Sequence, residues 1–193
     1  AAVVGHSMGE VAAAYVAGAL SLEDAARVIA VRNAIVREHA SRRGGMLMVS
    51  TDVTTAKELV AGSLGRASIA AVNAPRMLLL SGDPQPLDAI AEELQARGVF
   101  CRRVKVDYAS HSPHMDPLLP LLREALAGIE ARATRLAFCS TVSAELEDGR
   151  RVVLETEHWV AFVPFALAYL CQRDLRCRGI RESKITGTLD GGF

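Results

Sequence analysis

A serine between two glycines, placed directly after a short apolar run, constrains the fold of this chain more than any other feature of its sequence. The run Ala1–Val4 leads into Gly5-His6-Ser7-Met8-Gly9, and residues of high helix propensity follow from Glu10 onwards. Strand, sharp turn and helix in this order project the serine hydroxyl outward, and the glycines are expected to avoid collisions where strand and helix approach. The pattern predicts a nucleophile elbow; a turn without chemistry is the alternative.

Beyond residue 44 the sequence alternates between short apolar runs and helical spacing, which predicts a second unit. Strands are expected at 46–50, 67–72, 76–81 and 99–106, and helices at 54–63 and 84–97. The order βαββαβ is that of the split ferredoxin-like motif.

We therefore expect an α/β chain built from two subdomains. Residues 1–43 and 107–193 form a hydrolase-like parallel-sheet subdomain, and residues 44–106 form an inserted ferredoxin-like subdomain. A central parallel strand needs neighbours on both sides, so a chain that begins at its nucleophile strand is expected to be a truncated form of the first subdomain.

Charge and composition argue against several classes of partner. The chain has 22 basic and 22 acidic residues and only 5% aromatic residues, which gives no basis for binding nucleic acid or an anionic membrane. Its four cysteines show no metal-ligand spacing and indicate reduced thiols in a cytoplasmic protein. No apolar run reaches the ~20 residues of a membrane-spanning helix. We expect no bound metal or cofactor.

A serine nucleophile needs a base, and histidine is the usual one. His6 adjoins the serine but points away from it across a sharp turn, and His39 lies at the end of a predicted helix. His111 and His114 lie in an irregular polar segment of the kind in which α/β enzymes place catalytic groups. These residues alone leave open which of the two is the base, or whether both are surface histidines.

Three arginines recur every five residues on a helix that is predicted to have Ser21 as its N-cap and to run to about His39. Arg27, Arg32 and Arg37 therefore advance around the helix, so that at most one or two of them can face the same cleft. Spacing alone does not identify which.

Several motifs in order resemble the acyltransferase domain of a modular (type I) polyketide synthase, a family that includes the malonyl-CoA:acyl carrier protein transacylases. The resemblance covers roughly residues 1–159 and rests on the segments Gly5-His6-Ser7-Met8-Gly9-Glu10, Ala17-Gly18-Ala19-Leu20-Ser21-Leu22-Glu23-Asp24-Ala25, Val31-Arg32, Gly44-Gly45-Met46, Val72-Asn73 and Tyr108-Ala109-Ser110-His111-Ser112-Pro113. Several ordered motifs are far more specific than a lone elbow pattern.

The resemblance implies the roles of four residues. Ser7 would take an acyl group from coenzyme A as an ester, and His111 would act as general base and then as acid for the leaving thiol. Arg32 would bind the free carboxylate of a malonyl-type extender unit, a role for which a bidentate, permanently charged guanidinium is suited. The backbone N–H of Met8 would supply half of an oxyanion hole.

The same resemblance places three further residues at the substrate. Tyr108 and Ser110 belong to a tetrapeptide that resembles methylmalonyl-selecting domains, since serine in place of phenylalanine leaves room for an α-methyl group. Asn73 lies in a motif near the cleft. A methyl group contributes about 1–3 kcal/mol of discrimination, so the preference for methylmalonyl over malonyl is modest.

The resemblance implies transfer of an α-carboxyacyl unit from acyl-CoA to the phosphopantetheine thiol of an acyl carrier protein, beside a ketosynthase domain of a longer chain. Two departures lead us to expect the isolated chain to be weakly active or inactive. The family's upstream oxyanion-hole glutamine would precede residue 1, and the segment after Trp159 differs from the family pattern. The alternatives are a non-catalytic remnant or docking piece and a serine hydrolase.

Overall fold

The computed structural model describes residues 1–139 and 146–147. The expected apolar segment after Trp159 lies outside the described residues. Within them, helices and strands form two sheets with helices packed on each, which confirms the α/β expectation. In the described part of the chain, no helix combines the length and apolar character needed to cross a membrane.

The first unit contains the serine turn and a mixed three-stranded sheet. Its elements are β1 (Ala2–Val4), α1 (Gly9–Ala17), α2 (Leu22–His39), a 3-10 turn (Pro113–Leu118), α5 (Leu119–Ala125), β6 (Ala137–Cys139) and β7 (Leu146–Glu147). β1 pairs with β6 in parallel, and β6 pairs with β7 antiparallel. The parallel pairing that the elbow predicted therefore joins the two ends of the described region.

Local capping explains where α1 ends and where α2 begins. Gly18 adopts a left-handed conformation with φ 90° and stops α1, which glycine does without steric cost. Ser21 caps α2 by accepting a hydrogen bond from Asp24 N at 3.0 Å, as the sequence predicted. Leu22, the first residue of α2, is 64% exposed, and the buried face of the helix begins at Ala25.

The second unit is a four-stranded antiparallel sheet with two helices. Its elements are β2 (Gly45–Val49), α3 (Val53–Ala61), β3 (Ala67–Ala74), β4 (Met77–Gly82), α4 (Pro84–Ala96) and β5 (Cys101–Arg103). The strand order is β3-β4-β2-β5, and each neighbouring pair runs antiparallel. The last strand is shorter than the 99–106 predicted from its apolar pattern.

Each unit has its own hydrophobic core. The core of the first unit is built around α1, α2, α5 and the buried ring of Phe138. That of the second consists of residues of the second unit alone, with fully buried side chains at Leu47, Leu78, Leu80, Leu87 and Leu94.

The two units meet where the chain returns to the first one. A Cβ built at Gly44 would lie 2.2 Å from Ala109 N, so only glycine permits this approach. Gly44 N also donates a hydrogen bond to Asp107 O. This contact holds the segment that follows β5 against the start of β2.

Candidate active site

The turn between β1 and α1 has the backbone of a nucleophile elbow. Ser7 has φ 54°, a left-handed conformation that is strained for a residue with a side chain. A Cβ built at Gly5 would lie 2.1 Å from Gly9 O, so glycine is required there, as expected. For Gly9 the expectation is wrong: apart from its chain neighbours and the adjacent backbone of α1, no atom of the described residues lies within 4 Å of a Cβ built at that position. Only the strand side of the turn is sterically closed.

The serine hydroxyl is paired with one of the two candidate histidines. Ser7 Oγ lies 2.9 Å from His111 Nε2, although the residues are 104 positions apart in the chain. The imidazole is 8% exposed, and His111 itself has φ 55°, a second strained backbone position. A hydroxyl and an imidazole at this distance can exchange a proton.

The surroundings of His111 keep its imidazole neutral. Burial, the positive Arg32 and His6, in decreasing order, lower the pKa of His111 to about 4. A neutral imidazole has an unprotonated nitrogen that can accept the proton of Ser7 at pH 7. The charge of Arg32 therefore acts on His111, the residue that contacts Ser7.

Of the three arginines on α2, the structure buries Arg32. Its side chain is 8% exposed, whereas Arg27 and Arg37 are exposed. Arg32 Nη1 donates to Asn33 Oδ1 at 3.0 Å, and Arg32 Nε has no hydrogen-bond partner in the described part of the chain. A buried guanidinium with an unused donor is suited to an anionic ligand.

A cavity of about 260 Å³ borders this arginine. It is lined by Arg32, Asn33, Val36, Arg37, Ala40, Arg42, Asp107 and Tyr108. Tyr108 and Arg32 therefore line the same cavity, and a role for Tyr108 at the substrate stays a prediction. Across the cavity Arg42 Nη1 donates to Asp107 Oδ2 at 2.7 Å.

The other predicted site residues lie at different distances from this pair. Met8 directly follows the nucleophile at the start of α1, and no hydrogen bond within the described residues uses its backbone N–H. Ser110 is 7% exposed beside His111. Asn73 is exposed on β3, and among the described residues no hydrogen bond joins its side chain to Ser7, His111 or Arg32. Its predicted role at the cleft stays a prediction.

Sequence reasoning missed how the loop around His111 is supported. The Ser112 hydroxyl donates to Ala109 O at 2.7 Å and accepts from His114 N at 3.3 Å. His114 Nε2 in turn lies 3.0 Å from Asp83 Oδ1, in the second unit. The Ser112-Pro113 pair is a helix-start signal that could have identified the Ser112 cap. Nothing in the local pattern could have identified the partner of His114.

Sequence comparison gives one consistent group of relatives. The profile of the family described as acyl transferase domain matches residues 1–164. The chain is 48% identical over 159 residues to the spectinabilin polyketide synthase system protein NorA' of Streptomyces orinoci, a match that covers 82% of this chain and 4% of that protein. It is 43% identical over 159 residues to erythronolide synthase EryA2 of Saccharopolyspora erythraea, again covering 82% of this chain and 4% of the relative.

Solved structures of similar fold belong to the same group. The acyltransferase domain from module 8 of the salinomycin polyketide synthase superposes with a TM-score of 0.84 at 39% identity, covering 93% of this chain and 42% of that one. The acyl-carrier-protein S-malonyltransferase of Burkholderia pseudomallei 1710b superposes with a TM-score of 0.83 at 21% identity, covering 93% of this chain and 60% of that one, which indicates a shared fold. The chain thus spans less than half of the salinomycin domain structure and a small fraction of its curated relatives.

Proposed function

The chain belongs to the acyl transferase domain family, as found in modular polyketide synthases, and from this premise we propose that it transfers an α-carboxyacyl unit from coenzyme A to the phosphopantetheine thiol of an acyl carrier protein. The observation that carries the proposal is the 2.9 Å contact between Ser7 Oγ and His111 Nε2 at an elbow with positive φ. Acyl-CoA and the carrier protein are its substrates, and a ketosynthase domain is its expected neighbour.

The transfer takes place in two half-reactions through an ester on Ser7. The neutral His111 accepts the Ser7 proton while Oγ bonds to the thioester carbonyl carbon. The backbone N–H of Met8 donates to the oxyanion, the carbon–sulfur bond breaks, and the coenzyme A sulfur receives the proton from His111. The carrier thiol gives its proton to His111 while its sulfur bonds to the acyl carbon. The bond between that carbon and Ser7 Oγ then breaks, and His111 returns the proton to Oγ.

Arg32 selects donors with a free carboxylate in this proposal. Its guanidinium is buried, and within residues 1–139 its Nε donor has no hydrogen-bond partner, so a bound carboxylate would satisfy it. A bound carboxylate neutralises Arg32, which is one of the charges that lower the pKa of His111. Substrate binding therefore makes the imidazole a stronger base when Ser7 must lose its proton.

Among such donors we propose a preference for methylmalonyl over malonyl. The support is Ser110, which is buried beside His111 and whose small side chain leaves space for an α-methyl group. The expected discrimination corresponds to about 1–3 kcal/mol.

We also infer that residues 44–106 are an inserted ferredoxin-like subdomain and that residues 1–43 and 107–193 belong to the hydrolase-like subdomain. The support is the βαββαβ element order and the antiparallel strand order β3-β4-β2-β5. A core made only of residues from within this segment supports the same division.

Replacing Arg32 tests the proposed function. Methylmalonyl-CoA, malonyl-CoA and propionyl-CoA are offered in turn, and covalent labelling of Ser7 is followed by mass spectrometry on the chain within its full-length polypeptide. Arg32→Ala is expected to lower kcat/KM for the two dicarboxylate donors by on the order of 10²-fold, because a buried charge-assisted pair is lost. The propionyl rate should change little, since propionyl has no free carboxylate.

Arg27→Ala is the matched control, since Arg27 lies on the same helix but is exposed and donates to Ala125 O. It is expected to leave the ratio between dicarboxylate and propionyl donors unchanged. Labelling that persists in Ser7→Ala would exclude the proposed nucleophile. Unchanged rates for all three donors in Arg32→Ala would instead favour a simple esterase, and an equal loss for all three would refute the role of Arg32 in binding the donor carboxylate.

A further inference from the structure

We propose that Asp83 and His114 form a positioning pair through which the second unit holds the catalytic histidine loop in place. The inference rests on the proposed function, in which His111 must meet Ser7 at hydrogen-bond distance. Neither residue touches Ser7 or His111 in the contacts described above. Each acts through the backbone that carries His111.

Asp83 precedes α4 in the position and backbone conformation of a helix cap, yet its carboxylate makes no capping hydrogen bond. One oxygen, Oδ2, accepts from Arg66 Nε at 2.8 Å, and the other, Oδ1, lies 3.0 Å from His114 Nε2. Aspartate at this position ordinarily accepts from the first turn of its own helix. Its carboxylate is instead turned towards the loop of the first unit.

Arg66 keeps the carboxylate charged and fixed in direction. The hydrogen bond from Arg66 to the carboxylate is the main reason that the pKa of Asp83 lies below its usual range. A second donor, Arg66 Nη2, reaches Gln85 Oε1 at 3.2 Å, and Asp83 N donates to Arg66 O at 2.8 Å. The acceptor that faces His114 is therefore anchored on both its side chain and its backbone.

His114 connects the fixed carboxylate of Asp83 to the loop that carries His111. Its backbone N–H donates to Ser112 Oγ, and the same hydroxyl donates to Ala109 O, so the segment around His111 is closed by side-chain bonds. His111 lies within this segment at φ 55°, a conformation that persists only when its surroundings hold it. The 3.0 Å contact between Asp83 and His114 connects the second unit to a side chain of this segment.

The test compares two replacements of similar size at position 114. His114→Gln keeps an N–H donor for Asp83, and His114→Leu does not. We expect His114→Leu to lower kcat for Ser7 acylation by about 10-fold to 100-fold with KM for methylmalonyl-CoA nearly unchanged, since Arg32 is untouched. His114→Gln is expected to recover most of kcat.

Asp83→Ala should lower kcat as His114→Leu does, and the double variant should be no slower than either single one. Asp88→Ala is the control: it breaks the ion pair with Arg103 in the same unit without contacting the loop, and should keep the parent kcat. Wild-type kcat in His114→Leu, or additive losses in the double variant, would overturn the inference.

A crystal structure of His114→Leu gives a readout that does not depend on the proposed activity. Loss of hydrogen-bond distance between Ser7 Oγ and His111 Nε2 supports the positioning pair, and an unchanged distance refutes it. If the parent polypeptide fails to label Ser7 at all, the proposed function fails first. If it labels Ser7 and the variants match it, only the positioning pair fails.

Discussion

At the scale of single residues, the charge of Arg32 acts on His111. The arginine lies close enough to lower the pKa of the imidazole, and burial of both side chains strengthens the effect. The sequence pattern alone did not distinguish His111 from His114 as the base. It also did not identify which of the three arginines on α2 faces the cleft. Family resemblance selected His111 and Arg32, and the structure pairs His111 with Ser7 and buries Arg32.

The lowered pKa of His111 predicts a loss of stability in mild acid. The unfolded chain binds a proton at histidine below about pH 6.5, whereas folded His111 binds it only near pH 4. Between these values the unfolded state holds more protons, so the free energy of unfolding falls as the pH falls. The loss reaches about 3 kcal/mol at the acid end of the window.

Denaturant unfolding at intervals from pH 7.5 to 4.5 checks this. His111→Asn is expected to remove the part of the loss that comes from His111; burial also lowers the pKa of His6, so a smaller loss remains. His39→Asn serves as control, because His39 is exposed at the end of α2, and it should retain the loss. A flat stability profile in the parent chain would contradict the prediction.

At the scale of elements, the serine turn has no room for a side chain at Gly5 but has open space at Gly9. Gly5 is closed in by backbone atoms of Gly9 and Glu10, which cannot move without displacing α1. Gly9 begins the helix with free space around its Cα. The sequence showed two glycines in equivalent positions, and only packing of strand against helix distinguished them.

The two glycines are therefore predicted to respond differently to alanine. Gly5→Ala should lower the free energy of unfolding by about 1–3 kcal/mol or more, since the added Cβ meets backbone. Gly9→Ala should leave it unchanged or raise it by up to about 1 kcal/mol, because alanine favours the helix. Urea denaturation of both variants measures the difference, and equal losses would contradict the assigned geometry.

At the scale of the whole molecule, the described residues form two hydrophobic cores, one in each unit. Gly44 approaches Ala109, and His114 contacts Asp83; both contacts connect the second unit to the segment that carries His111. The strands β2 and β5, near the two ends of the second unit, are paired with each other. When the second unit is excised at these two ends, the pairing between β2 and β5 is therefore kept.

Residues 44–106 are predicted to fold when produced alone. Their core is internal to the segment, although a unit of this size buries only about 60% of its surface and is expected to be marginally stable. Circular dichroism with a cooperative thermal transition is the expected result. Leu80→Ala, which removes a fully buried side chain, should abolish it. An unfolded segment would show that the two cores depend on each other.

Local order in this protein follows from the sequence by itself: the strand-turn-helix around Ser7, the Ser21 cap, and the alternation of strands and helices from residue 44. These features are predictable because their interactions reach only a few residues along the chain. Tertiary structure alone decided that Asp83 faces His114 and not its own helix, and that Gly5 is closed in while Gly9 is open. Partners so distant in sequence leave no periodic signal, since packing and burial choose them only when the chain has folded.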